Sequence, residues 1–341
     1  MSRIVLAALT ATLTAAGLLA SGAASAESPA PGYHITGHLP GPDGGWDYAS
    51  FDAARNRVLV ARSTAVDAFD LGAGGAGVVI EPAARGHAAL TVNGGSEILI
   101  TNGDTASAVF VDASNGSPIA TVATGQGPDA VAVDAASGTV LVMDHRGGQI
   151  DVIDSRTHQP LGRIEVGGAL EAAALDGQGH AFVNVEDRNE IAVIDLATRT
   201  VTGRYALPGC EGPTGLAYAS GEDLLIVACD GVADLVRAST GATVRTLEIG
   251  DGADGVAYDP TRKRALIPAG ESATLAVLQI ANGDATLVQT LPTRSGGRTI
   301  ALDPVTGDAF IPTALFAPAT EGHRAAMIPG SFELLVVTPG S

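Results

Sequence analysis

Gly127-Pro128-Asp129-Ala130-Val131-Ala132-Val133-Asp134 decides the fold: a Gly-Pro approach, one polar residue, an alternating apolar run, then an Asp that opens a turn. The phrase returns as Gly45-Trp46-Asp47-Tyr48-Ala49, Arg85-Gly86-His87-Ala88-Ala89, Ala169-Leu170-Glu171-Ala172-Ala173, Gly212-Pro213-Thr214-Gly215-Leu216, Gly252-Ala253-Asp254-Gly255-Val256 and Gly296-Gly297-Arg298-Thr299-Ile300. Steps between the polar residues are 40, 42, 42, 43, 40 and 44. A period of about 40–45 residues with several short strands per unit is the signature of a β-propeller blade, a unit that cannot bury its faces without neighbours. The chain therefore reads as all-β, a closed seven-bladed ring.

Working outward from Asp129, the third unit predicts an inner strand over 130–133, a second over 139–143, a third over 149–153 and an outer one over 160–166. The Asp, Ser, Thr and Gly residues between them are turn formers. Residues 33–39 look like an outer strand without a blade, whereas the last unit shows strands near 299–302, 308–311 and 332–337 and no fourth. The N-terminal strand is thus expected to complete the last blade and remove the open sheet edges.

Residues 1–26 carry Arg3, an apolar stretch and Ala24-Ser25-Ala26, the pattern of a secretory signal. The domain reading is therefore signal 1–26, flexible leader 27–32 and one propeller domain over 33–341. No other stretch has the length of apolar sequence needed to span a membrane. The formal charge is -18, and loss of Arg3 with the signal makes it -19. Such a field argues against nucleic acid as a partner. Aromatic residues make up 4% and glycine is abundant at 44 residues, which suits small-residue sheet packing with tight turns.

These repeats, with Ile150-Asp151-Val152-Ile153-Asp154 closing one of them, resemble the YVTN-type repeat. The whole chain is similar to exported YncE-like bacterial propellers, through Trp46-Asp47-Tyr48, the run from Gly179 to Glu190, Arg298-Thr299-Ile300-Ala301-Leu302-Asp303-Pro304 and Pro329-Gly330-Ser331-Phe332. Tyr-Val-Thr-Asn itself does not occur; Ile98-Leu99-Ile100-Thr101-Asn102 is the nearest version. The resemblance implies an exported seven-bladed propeller, in a family whose members mostly lack an established activity, so function has to come from the site.

In a propeller the residue just before each inner strand stands at the mouth of the central channel. The seven such positions are Asp47, His87, Asp129, Glu171, Thr214, Asp254 and Arg298, and the turns joining second to third strands add Asn102, Asp104, His145, Glu186, Arg188, Asp230 and Glu271 as an outer shell. Four carboxylates brought together repel one another unless a cation, a proton or Arg298 offsets them. Asp47, His87, Asp129, Glu171 and Asp254 are suited to Ca²⁺, Mg²⁺, Mn²⁺ or Zn²⁺. An organic ligand held by Arg298 and His87, or a plainly solvated channel, is the alternative. A catalytic version is chemically open too: metal-assisted hydrolysis or lyase chemistry, lactonase-like, with His87 or Glu171 as general base. No motif of the propeller lactonases or lyases is present.

Residues 312–330 interrupt the last blade, far longer than the turns elsewhere, and could lie over the mouth as a lid bringing His323 and Arg324 inward. Cys210 and Cys229 flank the first two strands of the fifth unit, and an oxidising compartment favours a disulfide between them. Trp46 reads as packing between first and last blades, while His34, His158 and His180 read as surface residues and His38 as a neighbour of the outer mouth. The functional classes left by the sequence are three: a monomeric periplasmic or secreted binder of a metal, small ligand or envelope protein; an enzyme using the same mouth; or a scaffold without a mouth ligand.

Overall fold

Each repeat of the sequence folds into one antiparallel sheet of four strands, and seven such sheets stand in a ring. The structure, a computed structural model, describes positions 1, 32–72, 74, 77–318 and 325–340. The expected signal beyond Met1, the leader up to position 31, and both His323 and Arg324 lie outside the described residues. Among the described residues no helix is long and apolar enough to cross a membrane.

In blade three the strands are Pro128–Asp134, Thr139–Asp144, Gln149–Asp154 and Gln159–Glu165, within two residues of the expected bounds. The last blade contains Ala301–Leu302, Ala309–Thr313 and Glu333–Pro339, and its outer strand is Tyr33–Pro40 from the N-terminal side. Tyr33 pairs with Pro339 and Pro40 with Glu333 in antiparallel register. The ring is thereby closed by hydrogen bonds between the two ends of the domain, and the third strand of the last blade gains the partner its outer side would otherwise lack.

The reason for a ring is visible in the burial of the strands. Second and third strands carry apolar residues on both faces, as in Leu224–Ala228, where every residue is buried, so a blade must be covered on both sides. Seven apolar clusters do this, one between each pair of adjacent blades. Outer strands are more exposed, and Thr200–Ala206 alternates between exposed and half-buried residues. Trp46 is buried between the last and first blades, with its ring 5.2 Å from that of Phe332 and 6.2 Å from that of Phe316. It is a packing residue, as its neighbourhood in the sequence suggests.

A bulge marks the entry to each of the first four inner strands. Pairing skips two residues on the inner strand against one on the second strand at 47–48, 87–88, 129–130 and 171–172. A bulge of this kind bends the strand and re-aims the side chain beside it. The skipped residues include Asp47, His87, Asp129 and Glu171. In blades five to seven the inner strands begin later, at Leu216, Ala257 and Ala301, so Thr214, Asp254 and Arg298 precede regular pairing.

Candidate functional site

The backbone of the mouth is stitched from blade to blade. Thr101 Oγ1 donates to the Asp129 carbonyl at 2.8 Å, Asn184 Nδ2 to the Thr214 carbonyl at 3.1 Å, Thr214 Oγ1 to the Ala253 carbonyl at 3.0 Å and Thr299 Oγ1 to the Asp47 carbonyl at 2.7 Å. Thr214 therefore spends its hydroxyl on structure rather than on the channel. The approach to Asp129 turns through Gly127, whose φ of 67° favours glycine and whose carbonyl accepts the His145 N–H at 2.9 Å. That bond brings the second-to-third-strand turn of blade three alongside the mouth.

Three basic side chains then meet the carboxylates of the ring. His87 Nδ1 lies 2.7 Å from Asp47 Oδ2 and 3.5 Å from Asp129 Oδ2. His145 Nδ1 lies 2.9 Å from Glu171 Oε1, off the line a hydrogen bond needs, and its Nε2 is 4.0 Å from Glu186 Oε2. Arg298 Nε donates to Asp254 Oδ2 at 2.7 Å, and its Nη2 stands 3.8 Å from Asp47 Oδ1. Among the described residues two sets have ligand atoms that all lie within 4.8 Å of one another, Asp47 with His87 and Asp129, and Asp129 with His145 and Glu171. Asp129 belongs to both.

Crowding shows in the ionisation of the ring. Burial, reinforced by the charges of Glu171 and Asp47, pushes the Asp129 carboxyl up to about 8. Burial also lifts Asp254 to about 7, against the pull of Arg298 and with the push of Asp47 and Glu171. The close contact with Glu171 raises His145 to about 9 in spite of its burial. For His87 burial acts downward, but the bond to Asp47 and the charges of Asp129 and Asp47 outweigh it and the net shift is upward. Protons thus occupy, in part, the place a cation would take.

One member of the site escaped the sequence reading. Tyr48 follows Asp47, and its hydroxyl donates to Glu171 Oε2 at 3.1 Å. Burial and the surrounding carboxylates hold its phenol well above the usual range. The signal was available: the equivalent residues of the other units are Ala88, Ala130, Ala172, Gly215, Gly255 and Thr299, so one bulky phenol stands among small side chains. Below the mouth the inner strands enclose a cavity of about 120 Å³, lined by Tyr48 with Ala88, Ala130 and Ala172 among others.

Of the outer shell, His145 and Glu186 reach the cluster, whereas Arg188 pairs with Glu190 at 3.9 Å and Asn102 accepts the Ala84 N–H. His158 differs from its expected place on the surface: its ring centroid lies 4.6 Å from that of Phe110 and its Nε2 2.8 Å from Glu97 Oε2, so it joins blades two and three. The base of the long last-blade insertion sits at the rim, where Phe316 packs on Trp46 and Asp43 accepts the Phe332 N–H at 3.3 Å. A wider cavity of about 700 Å³ opens on the opposite face, with Glu97 and Arg156 among its lining residues. Both are already engaged, with His158 and the Ser137 carbonyl, so the chemistry gathers at the mouth.

Cys210 and Cys229 form a disulfide with Cα atoms 5.3 Å apart and no exposed surface, as expected.

No family model and no curated relative matches the chain. Solved structures do. A chain of the mitotic checkpoint complex is 14% identical with a TM-score of 0.69, covering 100% of this chain and 99% of its own. A chain of hydrazine synthase from Kuenenia stuttgartiensis is 16% identical with a TM-score of 0.67, covering 85% of this chain and 96% of its own. U3-55K is 9% identical with a TM-score of 0.73, covering 91% and 99%. At these identities the likeness concerns the fold alone: the chain is a seven-bladed β-propeller, and the site must speak for its function.

Proposed function

We propose that this protein is an exported, YncE-like propeller that binds a divalent cation at its channel mouth. The observation that carries the reading is the Asp47, His87 and Asp129 set, three ligand atoms within 4.8 Å of one another supplied by three different blades. A solvated channel needs polar residues, but it does not need two carboxylates and an imidazole converging on one point. One nitrogen and two oxygen donors suit Zn²⁺ or Mn²⁺ better than Ca²⁺ or Mg²⁺, which prefer all-oxygen shells. Three protein ligands leave coordination positions open, so water or an anionic group of a small ligand can complete the shell, with Arg298 beside it.

Export to an oxidising compartment, periplasmic or extracellular, is supported by the buried disulfide and by the signal-like residues 1–26. The residues proposed to act are Asp47, His87, Asp129, Glu171 and His145, with Arg298, Asp254, Tyr48 and Glu186 around them.

The test is elemental analysis of mature protein prepared without chelators, beside the Asp129→Asn, Glu171→Gln double variant. Near-stoichiometric Zn or Mn in the native sample, lost in the variant, supports the reading. Absence of metal from native protein that also fails to take it up on dialysis overturns it.

A further inference from the structure

We infer that the mouth is a binuclear centre, with the Asp129 carboxylate bridging two cations. This deepens the cation reading above and rests on it. The two ligand sets share Asp129 and nothing else: Asp47 and His87 lie to one side, His145 and Glu171 to the other. Among the described residues the two imidazoles fall in separate sets, so one ion cannot take both with the carboxylates between them.

The spacings, the His87 to Asp47 hydrogen bond among them, fall in the range of donors around an ion. Metal to nitrogen or oxygen bonds of about 2.0–2.2 Å put neighbouring donors roughly 3 Å apart. His87 Nδ1 stands 2.7 Å from Asp47 Oδ2 and 3.5 Å from Asp129 Oδ2, and His145 Nδ1 stands 2.9 Å from Glu171 Oε1. In the second set the His145 nitrogen is shielded from solvent and pairs with a carboxylate oxygen at an angle poor for a hydrogen bond. An ion seated between them satisfies both.

The surrounding residues have the roles such a centre needs: Tyr48 orients Glu171 through Oε2 and leaves Oε1 to the ion, while Asp254 holds Arg298 against the open side. Each ion has three protein donors, so both keep positions for water or for the two oxygens of one carboxylate or phosphoryl group spanning them.

The probe is Mn²⁺ alone, titrated into metal-free mature protein and followed by equilibrium dialysis and electron paramagnetic resonance. The expected result is two Mn²⁺ per chain with an exchange-coupled spectrum, because a shared carboxylate places the ions about 3.5–4 Å apart. His145→Ala and His87→Ala should each leave one uncoupled Mn²⁺ per chain, with circular dichroism confirming that both variants keep the sheet signal. One Mn²⁺ per native chain overturns the inference and leaves the single-cation reading standing. No binding overturns both, and two uncoupled ions unaffected by His145→Ala place the second ion elsewhere and refute the bridge.

Discussion

Tyr48 of blade one donates its hydroxyl hydrogen to Glu171 Oε2 of blade four at 3.1 Å, across the channel rather than to a neighbouring blade. Among the described residues it is the one side-chain hydrogen bond that spans the mouth between blades that are not adjacent, and it fixes one oxygen of Glu171 while His145 approaches the other. Tyr48→Phe keeps the ring and removes the bond. Loss of one hydrogen bond to a charged acceptor, worth about 1.5–3 kcal/mol, should weaken cation binding by about tenfold or more while the melting temperature changes little. Calorimetric titration with Mn²⁺ checks this; unchanged affinity would mean that Glu171 is not a ligand.

The disulfide ties Cys210, in the loop before the inner strand of blade five, to Cys229 just after the second strand, a separation of 19 residues. Chain-entropy bookkeeping for a loop of that length gives about 3 kcal/mol. The Cys210→Ala, Cys229→Ala double variant should therefore melt at least about 5 °C lower under oxidising conditions, by differential scanning calorimetry. Reducing agent should shift the native protein in the same direction and leave the variant unmoved.

Ring closure has a clamp of its own. Gln289 of blade six accepts the Tyr33 N–H through Oε1 at 2.7 Å and donates from Nε2 to the Tyr33 carbonyl at 2.7 Å, holding the first residue of the closing strand from the adjacent blade. Gln289→Ala should cost about 1–3 kcal/mol and increase hydrogen exchange along residues 33–40 before any other strand. Exchange that rises uniformly through all blades would contradict a local role.

Much of this was legible before the structure. A 40-to-44-residue period locates every blade, and the missing fourth strand of the last unit identifies the N-terminal partner. The period also finds Asp47, His87, Asp129 and Glu171, since the same bulge recurs where each of them enters the channel. What the period does not encode is where a side chain leans. Thr214 occupies an equivalent position yet bonds the next blade, and Arg188 turns to Glu190 instead of the mouth, because each found a nearer partner. Tyr48 was hidden for a related reason, as its reach across the channel depends on small residues in the opposing blades. The buried pair Asp144 and Asp151 lay within ordinary strand sequence and gave no separate mark.

That pair makes a prediction about pH. Gly125 N donates to Asp144 Oδ2 at 3.1 Å and to Asp151 Oδ2 at 2.7 Å, so two carboxyls meet in the interior of blade three. Burial, then the charge and hydrogen bonding of Asp151, raises Asp144 to about 8 from an ordinary value of 3.8. A folded-state pKa raised in this way stabilises the protein below the unfolded value and loses that contribution as pH climbs through the folded one. Asp144 therefore works against stability increasingly from about pH 4 to about pH 8. In Asp144→Asn the amide can donate to Asp151 where the proton stood. The variant should resist urea better than the native protein at about pH 8 and equally well near pH 4; a gap that does not change with pH would remove the shared proton from the account.

The central claim is that a cation sits where blades one to four bring Asp47, His87, Asp129, Glu171 and His145 together. Anomalous diffraction at the manganese edge, from crystals grown with Mn²⁺, tests it most directly. The account predicts density within bonding distance of Asp129 Oδ2 and His87 Nδ1, absent from crystals of Asp129→Asn. A fully ordered mouth without anomalous density, in crystals grown at millimolar Mn²⁺, would contradict it.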